Sequence, residues 1–168
     1  MKLNSQMREW LGGLSHFWRP DKGYMPLRGI LTADQFNNPT IPGERDHIRR
    51  VLKRGYTTNV TVGTLTKYMS IVRQYYQAGH QQDSLEVAVI SHEQADDTFS
   101  KTGDSGSIIV SHSGEFVALL TGGTDQGTNI SDITYATLFE WLWDLVKAEF
   151  PGTSLDFGNI EEFLADMV

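Results

Sequence analysis

The 168-residue chain contains no cysteine, which excludes a disulfide framework and any thiolate-bound metal. Positive charge is also scarce: 14 Lys and Arg stand against 21 Asp and Glu, for a net charge of -7. Phosphate backbones are held by surplus cations, so a general nucleic-acid binder is not expected. No apolar run approaches the ~18 residues of a membrane span, and residues 1–13 lack the apolar stretch of a signal peptide. These absences together point to the cytoplasm and to no membrane partner. No His-x-x-x-His or clustered carboxylate spacing occurs, so neither a metal nor another cofactor is expected.

What is present suits one domain. Hydrophobic residues make up 39%, with 8 Phe, 6 Tyr and 4 Trp, enough for one ordinary core. Pro20, Pro26, Pro39 and Pro42 interrupt the first 47 residues, and Trp10, Leu11, Leu14, Phe17 and Trp18 sit among them as packing groups. Residues 1–47 therefore read as an irregular segment packed on the rest. From residue 48 the chain is rich in short β segments, at 48–53, 57–65, 68–76, 84–91, 107–112, 115–121 and 133–137. Ser113-Gly114 is placed as a hairpin turn. Beyond Thr137 the apolar period becomes helical through Leu138, Leu142, Leu145 and Val146, until Pro151-Gly152 ends it. Phe139, Trp141 and Trp143 are read as the anchors that dock this helix. Residues 151–168 form an acidic tail, with a short terminal helix over 158–168.

The basic residues Arg45, Arg49, Arg50, Lys53 and Arg54 alternate with Ile48, Val51 and Leu52, which reads as a solvated strand face. The chemistry lies elsewhere, in Thr102-Gly103-Asp104-Ser105-Gly106-Ser107. A serine between glycines lets a substrate carbonyl approach the backbone, as acyl transfer requires. A given tetrapeptide such as Gly-Asp-Ser-Gly arises by chance in roughly a few per thousand chains of this length, so its context has to decide. An apolar strand follows at once (Ile108-Ile109-Val110), then a turn, then Val117 to Gly123, a Tyr-containing strand and a helix.

That order resembles the C-terminal half of the trypsin-chymotrypsin family of serine peptidases. Upstream, Lys53, Gly55, Thr58, Thr61 and Gly63 are similar to a Lys-x-Gly-x-x-Thr-x-x-Thr-x-Gly pattern of predicted fungal intracellular trypsin-like proteins. The resemblance spans residues 48–150 and implies an all-β fold, a six-stranded antiparallel Greek-key barrel with a C-terminal α-helix. It implies that Ser105 is the nucleophile, that the N–H groups of Gly103 and Ser105 form the oxyanion site, and that Asp104 supports the loop. It further implies that Thr121, Gly122 and Gly123 pair with a polypeptide substrate and that Phe99 floors its specificity pocket.

The resemblance is incomplete, because the family's general base and orienting carboxylate come from a first barrel for which 47 residues leave too little chain. None of His16, His47, His80, His92 and His112 stands in the family's Ala-Ala-His context, and each is read as a surface or loop residue. An α/β-hydrolase elbow needs Gly-x-Ser-x-Gly and meets Ser107 instead; a lipase of the Gly-Asp-Ser type needs a later Asp-x-x-His, and only His112 follows. Two expectations stand. One is a serine endopeptidase represented by its nucleophile-bearing half, whose missing first barrel or partner chain supplies the base. The other is a catalytically inactive, peptidase-derived binding or scaffold module.

Overall fold

The computed structural model describes residues 25–37, 49–91, 98–124 and 133–157. Six strands, β1 (Arg49–Gly55), β2 (Asn59–Tyr75), β3 (Gln81–Ser91), β4 (Ile108–Ser111), β5 (Phe116–Gly123) and β6 (Ile133–Leu138), make one antiparallel sheet, with a short helix α1 (Ala33–Asn37) before them and α2 (Phe139–Glu149) after. In space the strands run β1-β2-β3-β6-β5-β4, and β4 hydrogen-bonds β1, so the sheet closes into a barrel. Closure leaves no unpaired edge along the ring.

Strand alternation sorts the side chains. On β1, Val51 points into the barrel and joins Leu65, Val87, Val89, Ile109, Val117 and Ala136 in the main core. Leu52 points outward and packs with Met25 and Val110 in a second cluster, flanked by Val60, Val62 and Phe116. The register explains the pairing, since Leu52 lies opposite Val62 on β2 and Val110 on β4. Arg54 shares the outward face of Leu52, whereas Lys53 shares the inward face of Val51.

Two of the expected strands are one. The segments anticipated at 57–65 and 68–76 form the continuous 17-residue β2, because Thr66-Lys67 offers no turn chemistry and a bulge between Leu65 and Met69 absorbs the irregularity. The β4–β5 turn is where it was expected, with Gly114 donating to the Ser111 carbonyl at 3.0 Å.

Residues 25–32 run along β5. Arg28 donates to the Gly114 carbonyl and Leu31 to the Phe116 carbonyl, while Phe116 donates back to Gly29. Phe36 on α1 then inserts into the main core. Helix α2 is held to this assembly by Phe139, whose ring meets Phe116 edge-on at 4.9 Å, and by Glu140, which accepts the Ala33 N–H at 2.6 Å. The reading of Trp141 as an anchor fails: it is 56% exposed, because the face of α2 turned to the barrel is the one carrying Phe139. Residues 1–24, 38–48 and 158–168, with the expected terminal helix, lie outside the described residues.

Candidate active site

Ser105 sits on the crossover that carries the chain from β3 to β4, and its loop is tied at both ends. Asp104 donates its N–H to the Lys101 carbonyl and Ser107 its own to the Asp104 carbonyl, both at 3.0 Å. Gly106 donates to Leu120 at 2.8 Å and Leu120 returns a bond to Ser107 at 3.0 Å, which fastens the loop to β5. Gly103 and Gly106 take φ values of 100° and 83°, a left-handed backbone that disfavours any side chain.

Beneath the loop lies Asp104, fully buried with Lys53 as its ion-pair partner at 3.1 Å (both side chains 0% exposed). The Asp104 carboxylate accepts the N–H of Thr57 at 2.8 Å and of Thr58 at 3.2 Å on one oxygen. Its other oxygen accepts the Thr58 hydroxyl at 2.7 Å, the Lys101 N–H at 3.1 Å and the Lys53 ammonium. Lys53 also donates to the Thr58 hydroxyl at 2.5 Å, and its ammonium lies 5.4 Å from the centre of the Phe99 ring. Burial alone would raise the Asp104 pKa, but hydrogen bonds from Thr58, from the Lys101 and Thr57 N–H groups and from Lys53 hold it well below the usual carboxylate range. Burial lowers the Lys53 pKa, against the pull of Asp104.

The residues of the upstream pattern converge here. Lys53 and Thr58 bind the Asp104 carboxylate directly. Gly55 makes room for it, since a Cβ there would stand 2.2 Å from Asp104 Oδ1. Thr61 donates its hydroxyl to the Phe99 carbonyl at 2.7 Å, and a Cβ on Gly63 would stand 2.7 Å from the Phe99 ring. All five pattern positions thus hold either Asp104 or Phe99, the inner supports of the segment that presents Ser105. The reading of Lys53 as a solvated strand residue is overturned, because strand alternation turns it into the barrel, where a buried carboxylate neutralises it.

Ser105 itself is exposed at an open cleft of about 410 Å³ on the outer wall, lined by Gly103, Ser107 and Ile108 from its own segment and by Arg54, Tyr56 and Phe116. Among the described residues the Ser105 hydroxyl makes no hydrogen bond, and neither the Gly103 nor the Ser105 N–H donates one. Phe99 is a core residue with no exposure. Thr121, Gly122 and Gly123 lie on β5, where Gly122 and Gly123 stand opposite Tyr135 and Thr134 across a bulge. The Thr121 hydroxyl donates to the Tyr135 carbonyl at 3.1 Å. None of these four lines the cleft.

His80 and His112 are the described histidines. His80 follows the 3₁₀ turn Gln77–Gly79 at the end of the β2–β3 hairpin. His112 begins the β4–β5 turn beside the Ser113 hydroxyl. The four residues of β4 separate it from the Ser105 loop, a span of about 13 Å at ~3.3 Å per residue, several times hydrogen-bond reach. His16, His47 and His92 fall outside the described residues, which also hold no cluster of three metal-ligating side chains. No helix among the described residues is long and apolar enough to cross a membrane.

Of the residues singled out in the sequence, Ser105 and Gly103 line the cleft and Asp104 is buried, whereas the contacts of Lys53 and Thr58 with Asp104 and the place of Arg54 and Tyr56 at the cleft were missed. For the first two the signal was the spaced Lys-x-Gly-x-x-Thr pattern itself. The chain matches no protein-family model and no curated protein.

Proposed function

We propose that this chain is the nucleophile-bearing barrel of a trypsin-like serine endopeptidase. The observation that carries the reading is the loop of Gly103, Asp104 and Ser105, supported from below by a fully buried and hydrogen-bonded carboxylate and open above to a cleft. The strand order agrees with it: β4 returns beside β1, giving the neighbour order β4-β1-β2-β3 of a Greek key.

In this reading the Ser105 hydroxyl oxygen bonds to the scissile carbonyl carbon as its proton passes to a general base. The carbonyl oxygen becomes an oxyanion held by the Gly103 and Ser105 N–H groups. Collapse breaks the C–N bond, the amine leaves with the proton from the base, and water then hydrolyses the acyl ester. Two N–H donors without partners among the described residues suit this task, since a donor fixed in advance needs no reorganisation as charge develops. The base comes from outside the described residues, supplied by this chain or by a partner.

A second reading, a catalytically inactive binding module of the same ancestry, is favoured by one observation: no described histidine or carboxylate reaches the Ser105 hydroxyl. Fluorophosphonate labelling followed by intact mass measurement separates the two. Ser105-dependent labelling, lost in Ser105→Ala, supports the peptidase with a base in this chain; equal background in both proteins leaves the module or a half-enzyme whose base comes from a partner.

A further inference from the structure

We propose that Arg54 makes the cleft beside Ser105 a recognition site for a carboxylate on the polypeptide substrate. The inference rests on the reading of Ser105 as nucleophile and adds to it the chemical class of the substrate. Among the described residues, Arg54 is the only charged one that lines the cleft. Its neighbour Lys53 contributes no net charge there, because Asp104 neutralises it inside the barrel. Arg54 forms no ion pair among the described residues.

The position of Arg54 follows from the fold. It lies on the outward face of β1 opposite Val60, at the end of the strand that adjoins the Asp104 network. Leu27, Tyr56, Val110 and Phe116 add apolar and aromatic walls beside the polar Ser105 and Ser107. A guanidinium at the rim of an open cleft can meet a carboxylate with two parallel N–H bonds, while the apolar side chains beside it pack against the rest of the ligand. The chain's net charge of -7 opposes an acidic ligand only weakly. At physiological salt the screening length is about 8 Å, so a cation in contact outweighs remote anions. An acidic residue beside apolar ones, or a chain-terminal carboxylate, fits this surface.

The test uses the full chain carrying Ser105→Ala, so that no peptide is cleaved, and fluorescence anisotropy with labelled peptides identical but for Glu, Gln or Lys at one position. Each is made with a free and an amidated C-terminus. The expected result is binding of the Glu or the free-carboxylate peptide about two- to fivefold tighter than its neutral counterpart, the scale of one solvent-exposed ion pair. Which pair shows the difference identifies a side-chain or a terminal carboxylate. Arg54→Ala should abolish the preference, Arg54→Glu should shift it to the Lys peptide, and Arg54→Lys should restore it in part.

Equal affinity for charged and neutral peptides, absence of binding to every peptide, or a preference that survives Arg54→Ala in a protein with unchanged circular dichroism would overturn the proposal. Labelling of Ser105 in the wild-type chain is read separately. If Ser105 labels while the preference ignores Arg54, only this inference fails. If the preference depends on Arg54 while Ser105 stays unlabelled, only the reading of a Ser105 reactive in this chain by itself fails.

Discussion

Two ion pairs lie in different parts of this barrel. Lys53–Asp104 is closed from solvent at 3.1 Å, whereas Arg73–Asp83, at 2.6 Å on the projecting β2–β3 hairpin, is 47% and 45% exposed. The exposed pair has the better geometry, with two bonds from one guanidinium to one carboxylate, and Asp83 is held below the usual carboxylate range by its hydrogen bonds from Arg73. It should nevertheless matter less, because water solvates either partner once the other is gone. Removing one partner of the buried pair leaves an uncompensated charge in the barrel. Distance therefore says little about what an ion pair does, and burial together with the remaining hydrogen bonds decides it.

The largest expected effect comes from Asp104→Ala, which strands the Lys53 ammonium and frees the Thr57, Thr58 and Lys101 N–H groups together. A loss of about 3–5 kcal/mol is expected, read as a lower urea midpoint. Gly55→Ala leaves the pair chemically intact but forces its new Cβ against Asp104 Oδ1 at 2.2 Å and Lys53 Nζ at 2.9 Å. An overpacking cost of about 1–3 kcal/mol is expected, along with displacement of the loop that presents Ser105. A milder effect would show that the network gives way more readily than its burial suggests.

Acid sharpens the contrast further. Asp104 has a lower pKa folded than its ordinary value of 3.8, so the folded state binds fewer protons. The stability it contributes is complete above that ordinary value and is lost as pH falls below it toward the folded value. The urea midpoint should therefore drop as pH is lowered from 5 to 2. Asp104→Ala should flatten that limb, and Asp83→Asn should leave most of it. The smallest effect is that of Asp83→Asn at neutral pH, where the urea midpoint should match the wild type.

How much of this was legible depended on whether the signal was local. The Gly-Asp-Ser-Gly loop, the Ser113-Gly114 turn and the helix before Pro151 each announce themselves within a few residues, and the loop and helix lie on their expected segments. Lys53 did not, because its partner is 51 positions away, and a lysine among arginines on an alternating strand looks like any solvated face. Its burial becomes sensible only once the crossover brings Asp104 across the mouth of β1. Phe99 was misleading for a related reason. Its spacing from Ser105 is short, yet its orientation depends on Gly63 and Thr61 of another strand. Arg54 became visible as a cleft residue only when β1, β4 and the segment around Leu27 were assembled.

The central claim is that the buried support of Asp104 serves to present a reactive Ser105. The most direct measurement is the rate of fluorophosphonate labelling, followed by intact mass, in the wild type, Ser105→Ala and Asp104→Asn, with folding checked by circular dichroism. The account predicts one adduct on the wild type, none on Ser105→Ala, and strongly slowed labelling of folded Asp104→Asn. A wild-type chain that labels no faster than Ser105→Ala would contradict a Ser105 that is reactive in this chain by itself, and would leave a barrel that takes its base from a partner or whose polar network serves stability alone.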